Sequence, residues 1–221
     1  MTALLIPVKD LRHAKQRLSP LWTQAERTEL TQAMLEDFFA VIRRVRGADR
    51  ILLVSSDEPA IERAHEWGWD ILREESQSSE STSVDEASRW AESLGVASLL
   101  RLPTDLPLLE PGDVEWLLSQ AESVPSMAIV PSRDGTGTNA LLRTPPTLFP
   151  SHFGPNSFVK HVAEAERRGV RCKLLHHPRL EMDIDDESDV RALFSLPRRE
   201  NATRRWLEGR MGSCVATSAP H

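Results

Sequence analysis

Cysteine is almost missing from this chain: Cys172 and Cys214 are the two among 221 residues, and Cys214 lies in a tail of small and polar residues. Such a pair supports neither a disulfide framework nor a cysteine metal site. Also missing is any apolar run close to the roughly 20 residues that cross a bilayer. The opening MTALLIPVKD is broken too early by Pro7 and Lys9 to read as a signal peptide. A cytoplasmic location with no membrane partner is the expectation. There is no basic excess either: the formal net charge is -6, against the footprint of a nucleic-acid binder, so no nucleic-acid partner is expected. The signatures GxxxxGK[ST], GxGxxG and HExxH are absent, and no Ser-His-Asp arrangement can be argued. The seven histidines are therefore read as non-catalytic.

What is present is an ordinary globular composition, 40% hydrophobic and 27% charged. Strand-like runs (ALLIPV, RILLVSS, WDILRE, ASLLRLP, SMAIVPS) alternate with helical segments, which predicts an α/β domain with a mostly parallel sheet. Thr23 and Glu26 form a capping-box pattern ahead of a long helix. The serine- and glutamate-rich stretch from Glu74 to Ser83 reads as a mobile loop, with a helix following from about Val84 to Leu94. After SMAIVPS the alternation changes, and DGTGTNALLR reads as a loop feeding an antiparallel hairpin strand. Asn156 is read as the cap of SFVKHVAEAERRG, and Asn201 as the cap of a terminal helix. Residues 1–196 are taken as one domain, and 197–221 as a C-terminal helix ending in a disordered tail of ten or so residues.

Three groups of residues carry possible chemistry. Asp105 directly follows the ASLLRLP strand, at the carboxyl end where ligands gather in open α/β sheets. Asp183 and Asp185 alternate in MDID, so in an extended segment they project together, about 6.6 Å apart, with Ile184 turned to the core. Paired carboxylates repel unless a cation lies between them, and their hard oxygens suit magnesium. Lys9, Lys15 and Arg17 form a basic group behind the first strand, where a phosphate-contacting loop belongs. Finally, Gly135, Thr136, Gly137, Thr138 and Asn139 make a donor-rich loop, and Gly154 and Ser157 lie at a helix start that suits an anion. A turn aspartate, a solvated basic face and a plain glycine turn are the competing structural readings.

Taken in order, IPVKDLRHAKQRL, LPTDLPLL, PSRDGTGTNALL, FGPNSFVKH and MDIDDESDV resemble the guanylyltransferases of deazaflavin coenzyme (F-420) biosynthesis. These act on 2-phospholactate, phosphoenolpyruvate or 3-phosphoglycerate, and the resemblance runs from about Leu4 to Phe194. It implies a single-domain, three-layer nucleotidyltransferase fold similar to the GT-A and nucleotide-diphospho-sugar transferases. It also implies GTP as donor and a three-carbon phosphorylated carboxylic acid as acceptor. Asp105, Asp183 and Asp185 match the magnesium-binding carboxylates; Thr138, Gly154 and Ser157 match positions that hold the phospho-acid. Lys9, Lys15 and Arg17 match the motif that faces the triphosphate, and Pro103 and Asp85 stand at positions beside the nucleotide. Where many members have a GLNAA-like stretch, this chain has SVDEA, with Asp85 in place of an asparagine. That departure fits a subgroup such as the bacterial members that prefer 3-phosphoglycerate. The alternatives are a cytidylyltransferase of the same fold, for a molybdenum cofactor or a sugar, or a non-catalytic nucleotide-binding module. Assembly as a homodimer is left open.

Overall fold

A computed structural model describes residues 1–11, 14–75 and 79–216 of the chain. The expected apolar runs become strands β1 (Thr2–Val8), β2 (Arg50–Ser55), β3 (Asp70–Arg73) and β4 (Ser98–Arg101). Beyond them come β5 (Ser126–Pro131), β6 (Thr138–Thr144) and β7 (Arg171–Leu174). They form one seven-stranded sheet in the order β3-β2-β1-β4-β6-β5-β7. β6 runs antiparallel to both β4 and β5, and every other pairing is parallel. The hairpin read from DGTGTNALLR is therefore β5–β6.

Side-chain alternation along β1 sorts the layers. Leu4, Ile6 and Val8 pack with Phe38 and Ile42 of α1 (Gln24–Ile42), Ala60 and Ala64 of α2 (Glu58–Glu66), and Val114 of α4 (Pro111–Leu118). Ala3 and Leu5 face the other way, onto Val84, Ala87 and Ala91 of α3 (Glu80–Ser93). On that same side α5 (Ser157–Arg167) sets Ala165 against Met127, Ile129 and Leu141. Helices thus cover both faces of the sheet.

The last two helices, α6 (Glu187–Ser195) and α7 (Ala202–Ala216), build a separate apolar cluster beside the sheet edge of the site. Leu207 of α7 is fully buried there with Leu18, Leu30, Met182, Ile184 and Val190. Trp206 meets Trp22 edge-on at 5.1 Å. The Asp37 carboxylate of α1 accepts the Ala202 and Thr203 N–H groups, each at 2.8 Å, so a negative charge sits at the helix start where the backbone is electropositive. Asn201 accepts the Arg204 N–H at 2.8 Å, as a cap does.

Three local expectations are corrected. The serine-rich stretch does not run as a loop to Ser83: α3 already begins at Glu80, because the Ser79 hydroxyl accepts the Thr82 N–H at 3.1 Å. Ser83 bonds back to the Ser79 carbonyl at 3.1 Å. The intervening residues 76–78 lie outside the described residues. Asn156 precedes α5 but does not cap it with its side chain; it sits in the left-handed region at φ 57°. The terminal helix continues to Ala216, further than expected, while residues 217–221, like Arg12 and His13, lie outside the described residues. No helix among the described residues is long and apolar enough to cross a membrane.

Candidate active site

β1 has β2 on one side and β4 on the other, so the chain crosses from one half of the sheet to the other at this pair. Ligands of open α/β sheets bind outside the carboxyl ends of such strands. Lys9 follows β1 there, and the Leu102 N–H, bonded to the Leu5 carbonyl at 3.1 Å, leads β4 into Pro103 and Asp105. The Asp105 carbonyl accepts the Ile184 N–H at 3.3 Å, which ties the MDID segment alongside. Ile184 is fully buried and turned to the core, so Asp183 and Asp185 are left facing the site.

Lys15 stands at the centre. Its ammonium reaches Asp105 Oδ2 at 2.5 Å and Asp185 Oδ1 at 2.8 Å, with the side chain 8% exposed. Burial alone would lower its pKa; the Asp105 and Asp185 carboxylates outweigh that and raise it. Its backbone is left-handed, at φ 53°, a costly conformation for a residue with a side chain and one that collects at functional sites. Asp185 is held below the usual carboxylate range, chiefly by Lys15 and further by the charge of Arg17. Asp183 is pushed the other way, up to about 7, by burial and by the neighbouring Asp105 and Asp185 carboxylates. Asp105 Oδ1 is buried and has no partner among the described residues. Together these features show an excess of carboxylate oxygen that one ammonium does not neutralise.

The outer basic groups differ from Lys15. Lys9 is half-exposed, pairs with Glu80 at 2.8 Å, and has its pKa lowered by partial burial and by nearby Arg101. Arg17 is exposed, on the single turn of 3-10 helix Gln16–Leu18.

The second half of the site is neutral. Ser157 Oγ donates to Thr138 Oγ1 at 3.0 Å, and His161 Nδ1 lies 3.2 Å from the same oxygen. His161 Nε2 accepts the His152 N–H at 2.9 Å, so the ring proton resides on Nδ1 and points at Thr138. Thr138 therefore receives two hydrogen bonds and keeps its own proton to give. Burial, and after it the charge of Arg143, pulls His161 down to about 3, which keeps the ring neutral. Gly154 lies one turn before Ser157 at φ 112°, in the region that favours glycine, and no atom would crowd a side chain there: the space beside it is open.

The glycine loop does not offer its amides outward. Asp134 accepts the Thr136 N–H at 2.9 Å and the Ser132 hydroxyl at 2.6 Å, while Ser132 Oγ accepts the Gly137 N–H at 2.7 Å. Burial opposes ionisation of Asp134, but these donors prevail and hold it at about 2. A side chain at Gly137 would meet Ser132 Oγ at 2.8 Å, so Ser132 would have to move and give up its bonds to Asp134 and the Gly137 N–H.

With this geometry in view, the profile of the family described as Guanylyl transferase CofC like matches residues 2–215. The chain belongs to that family. Among its relatives, a phosphoenolpyruvate guanylyltransferase of Rubrobacter xylanophilus is 40% identical over 86% of this chain and 91% of its own length. A 2-phospho-L-lactate guanylyltransferase of Methanothermobacter thermautotrophicus is 33% identical over 86% and 82%. A 3-phospho-D-glycerate guanylyltransferase of Colwellia psychrerythraea is 31% identical over 89% and 93%. A structure from Desulfovibrio desulfuricans, assigned as a nucleotide-diphospho-sugar transferase, superposes with a TM-score of 0.77 at 15% identity, covering 97% of each chain. A cytidylyltransferase of Leptospira borgpetersenii superposes at 0.55 with 14% identity, covering 100% of this chain and 98% of its own. These superpositions show the nucleotidyltransferase fold.

In this guanylyl transferase the motif reading missed two residues, Arg101 and Glu80. Arg101 ends β4, is 6% exposed, and its guanidinium lies 4.2 Å from the Phe153 ring centre. It bonds to Glu80 and, at 3.1 Å, to the Thr138 carbonyl. A charged residue inside the apolar run ASLLRLP was the available signal. Asp85 is committed to structure: it accepts the Ser151 N–H at 2.9 Å and lies 3.8 Å from buried Arg143.

Proposed function

We propose that this protein transfers GMP from GTP to a three-carbon phosphorylated acid, with release of pyrophosphate, in the assembly of coenzyme F-420. The acceptor is 3-phospho-D-glycerate, phosphoenolpyruvate or 2-phospho-L-lactate. One observation carries the reading: Asp105, Asp183, Asp185 and Lys15 converge at the β1–β4 switch point. An acceptor phosphate oxygen attacks the α-phosphorus of GTP; the bond to the α,β-bridging oxygen breaks, and pyrophosphate leaves with that electron pair. The second phosphate pKa is about 6, so the nucleophile is already anionic and no general base is needed. This agrees with a His161 that is neutral and bonded at both ring nitrogens.

The unpartnered Asp105 Oδ1 and the crowded Asp183 fit a hard divalent cation. Among the described residues no three ligands already meet at one point, because the Lys15 ammonium lies between Asp105 and Asp185. Asp105, Asp183 and Asp185 would hold magnesium, which when bound supplies positive charge to the triphosphate oxygens. Lys15, held among these carboxylates, adds positive charge with Lys9 and Arg17, and Thr138, Gly154 and Ser157 receive the acid. Pro103 borders the nucleotide in this reading, the Asp85 carboxylate being taken up by Ser151 and Arg143, and the enzyme works in the cytoplasm.

The test crosses four nucleoside triphosphates with the three acids in a pyrophosphate-release assay with magnesium. Release with GTP and at least one acid is expected. Release that ignores the acid, or a preference for CTP, would end the proposal.

A further inference from the structure

Arg101 has an unfinished pair of donors. Its Nε and Nη2 point to the same side of the guanidinium and form the fork that normally takes both oxygens of one carboxylate. Glu80 fills Nη2 alone, because its other oxygen is drawn to Lys9 at 2.8 Å. Arg101 Nε is left buried and without a partner among the described residues. A buried donor without an acceptor is costly, and such groups call for a reason. The remaining Arg101 contacts set its address: Nη1 donates to the Thr138 carbonyl at 3.1 Å, and the plane rests on Phe153, next to Gly154. It therefore stands between Thr138, to which it is bonded, and the Asp105 and Asp183 carboxylates, whose charge it feels without a direct bond.

We propose that Arg101 recognises the carboxylate of the acceptor acid, and that Glu80 holds that position in the free protein. This inference rests on the guanylyl-transfer reading. A ligand carboxylate would satisfy Nε and Nη2 together, which Glu80 does not. Thr138, whose carbonyl Arg101 already holds through Nη1, keeps a hydroxyl proton to give a ligand bound beside it. Displacing Glu80 also releases Lys9, which then faces the nucleotide phosphates unpaired. Arg101 is thus a specificity residue: it distinguishes a phosphorylated acid from a phosphate ester that lacks the carboxylate.

The test measures initial rates of pyrophosphate release for wild type, R101K, E80Q and R101M/E80Q. The acid is whichever of the three the wild type uses, compared with ethyl phosphate, which has no carboxylate. The double variant removes both charges, so no carboxylate is stranded if R101M alone fails to fold; melting curves accompany each protein. A charge-assisted pair of hydrogen bonds predicts a rise of about 10- to 100-fold in KM for the acid in R101M/E80Q. KM for GTP should not rise, since Lys9 is released toward the phosphates, and preference over ethyl phosphate should shrink by the same factor as the acid KM rises. E80Q alone should lower the acid KM, and R101K should rescue only part of the loss, since an ammonium lacks the fork. A rise in the GTP KM instead, or undiminished preference for the acid in the double variant, overturns the assignment. No release by wild type with any acid would fail the underlying reaction first, and the two failures are therefore distinct.

Discussion

The two halves of the site solve the problem of holding anions in opposite ways. Around Lys15, three carboxylates and one ammonium leave unneutralised charge, and two of those carboxylates are driven apart in pKa. Around Thr138, hydroxyls and a neutral imidazole are bonded to one another, with one free hydroxyl proton left over. The first half is poised for positive charge and stays unbalanced until it arrives. The second is bonded within itself, and what it leaves for a ligand are the Thr138 proton and the Arg101 donors beside it. The two halves lie on different elements, β1 and the MDID segment against β6 and α5, with β4 between them carrying Asp105 after its end and Arg101 at it.

If that division is right, the largest loss comes from the charged half. Asp183→Asn or Asp105→Asn should lower turnover on the order of 100-fold or more. The far-ultraviolet circular dichroism should be unchanged. Near-normal pyrophosphate release from either protein would break the comparison. Lys15→Met should come next for stability, because it leaves the partly buried Asp105 carboxylate, whose Oδ1 is already unpartnered, without its ammonium. A loss of about 1–2 kcal/mol in urea unfolding is expected, less than for a fully buried pair. Magnesium should restore more of the melting temperature of this variant than of wild type, and equal shifts would argue against a shared cation position.

The neutral half is sharpened by pH. His161 is held at about 3 in the folded chain, whereas unfolded histidine titrates near 6.5. Between those values the unfolded state binds the extra proton, so stability is complete above pH 6.5 and falls as the pH drops toward 3. His161→Gln should remove that slope, a difference of about 2 kcal/mol by pH 5. Parallel stability profiles for the two proteins would contradict a neutral, buried ring. The smallest effect is a control remote from both halves. Thr23→Ala should cost about 1 kcal/mol by removing the α1 cap, with both KM values unchanged.

Much of this was legible because its causes are local. The period-two spacing of Asp183 and Asp185 around Ile184 needs only an extended backbone to place both carboxylates together, and the structure places them so. Thr23 and Glu26 are three residues apart and form their capping box within one turn. Arg101 and Glu80 were not legible in that way: they are 21 positions apart and meet because α3 packs over β4. The glycine loop carried the right donors, but its sequence could not show that Asp134, inside the same loop, would take them. Serine at 79 looks like loop composition and acts as a cap, a role decided by its extended backbone.

The α7 helix has a consequence for how the two aspartates are supported. Met182 and Ile184, which flank Asp183, lie on the same apolar floor as Leu207 and Val190. A stop codon after Pro197 would thus leave every proposed ligand in the chain and still loosen the pair, by taking Trp206, Leu207 and Met211 out of that floor.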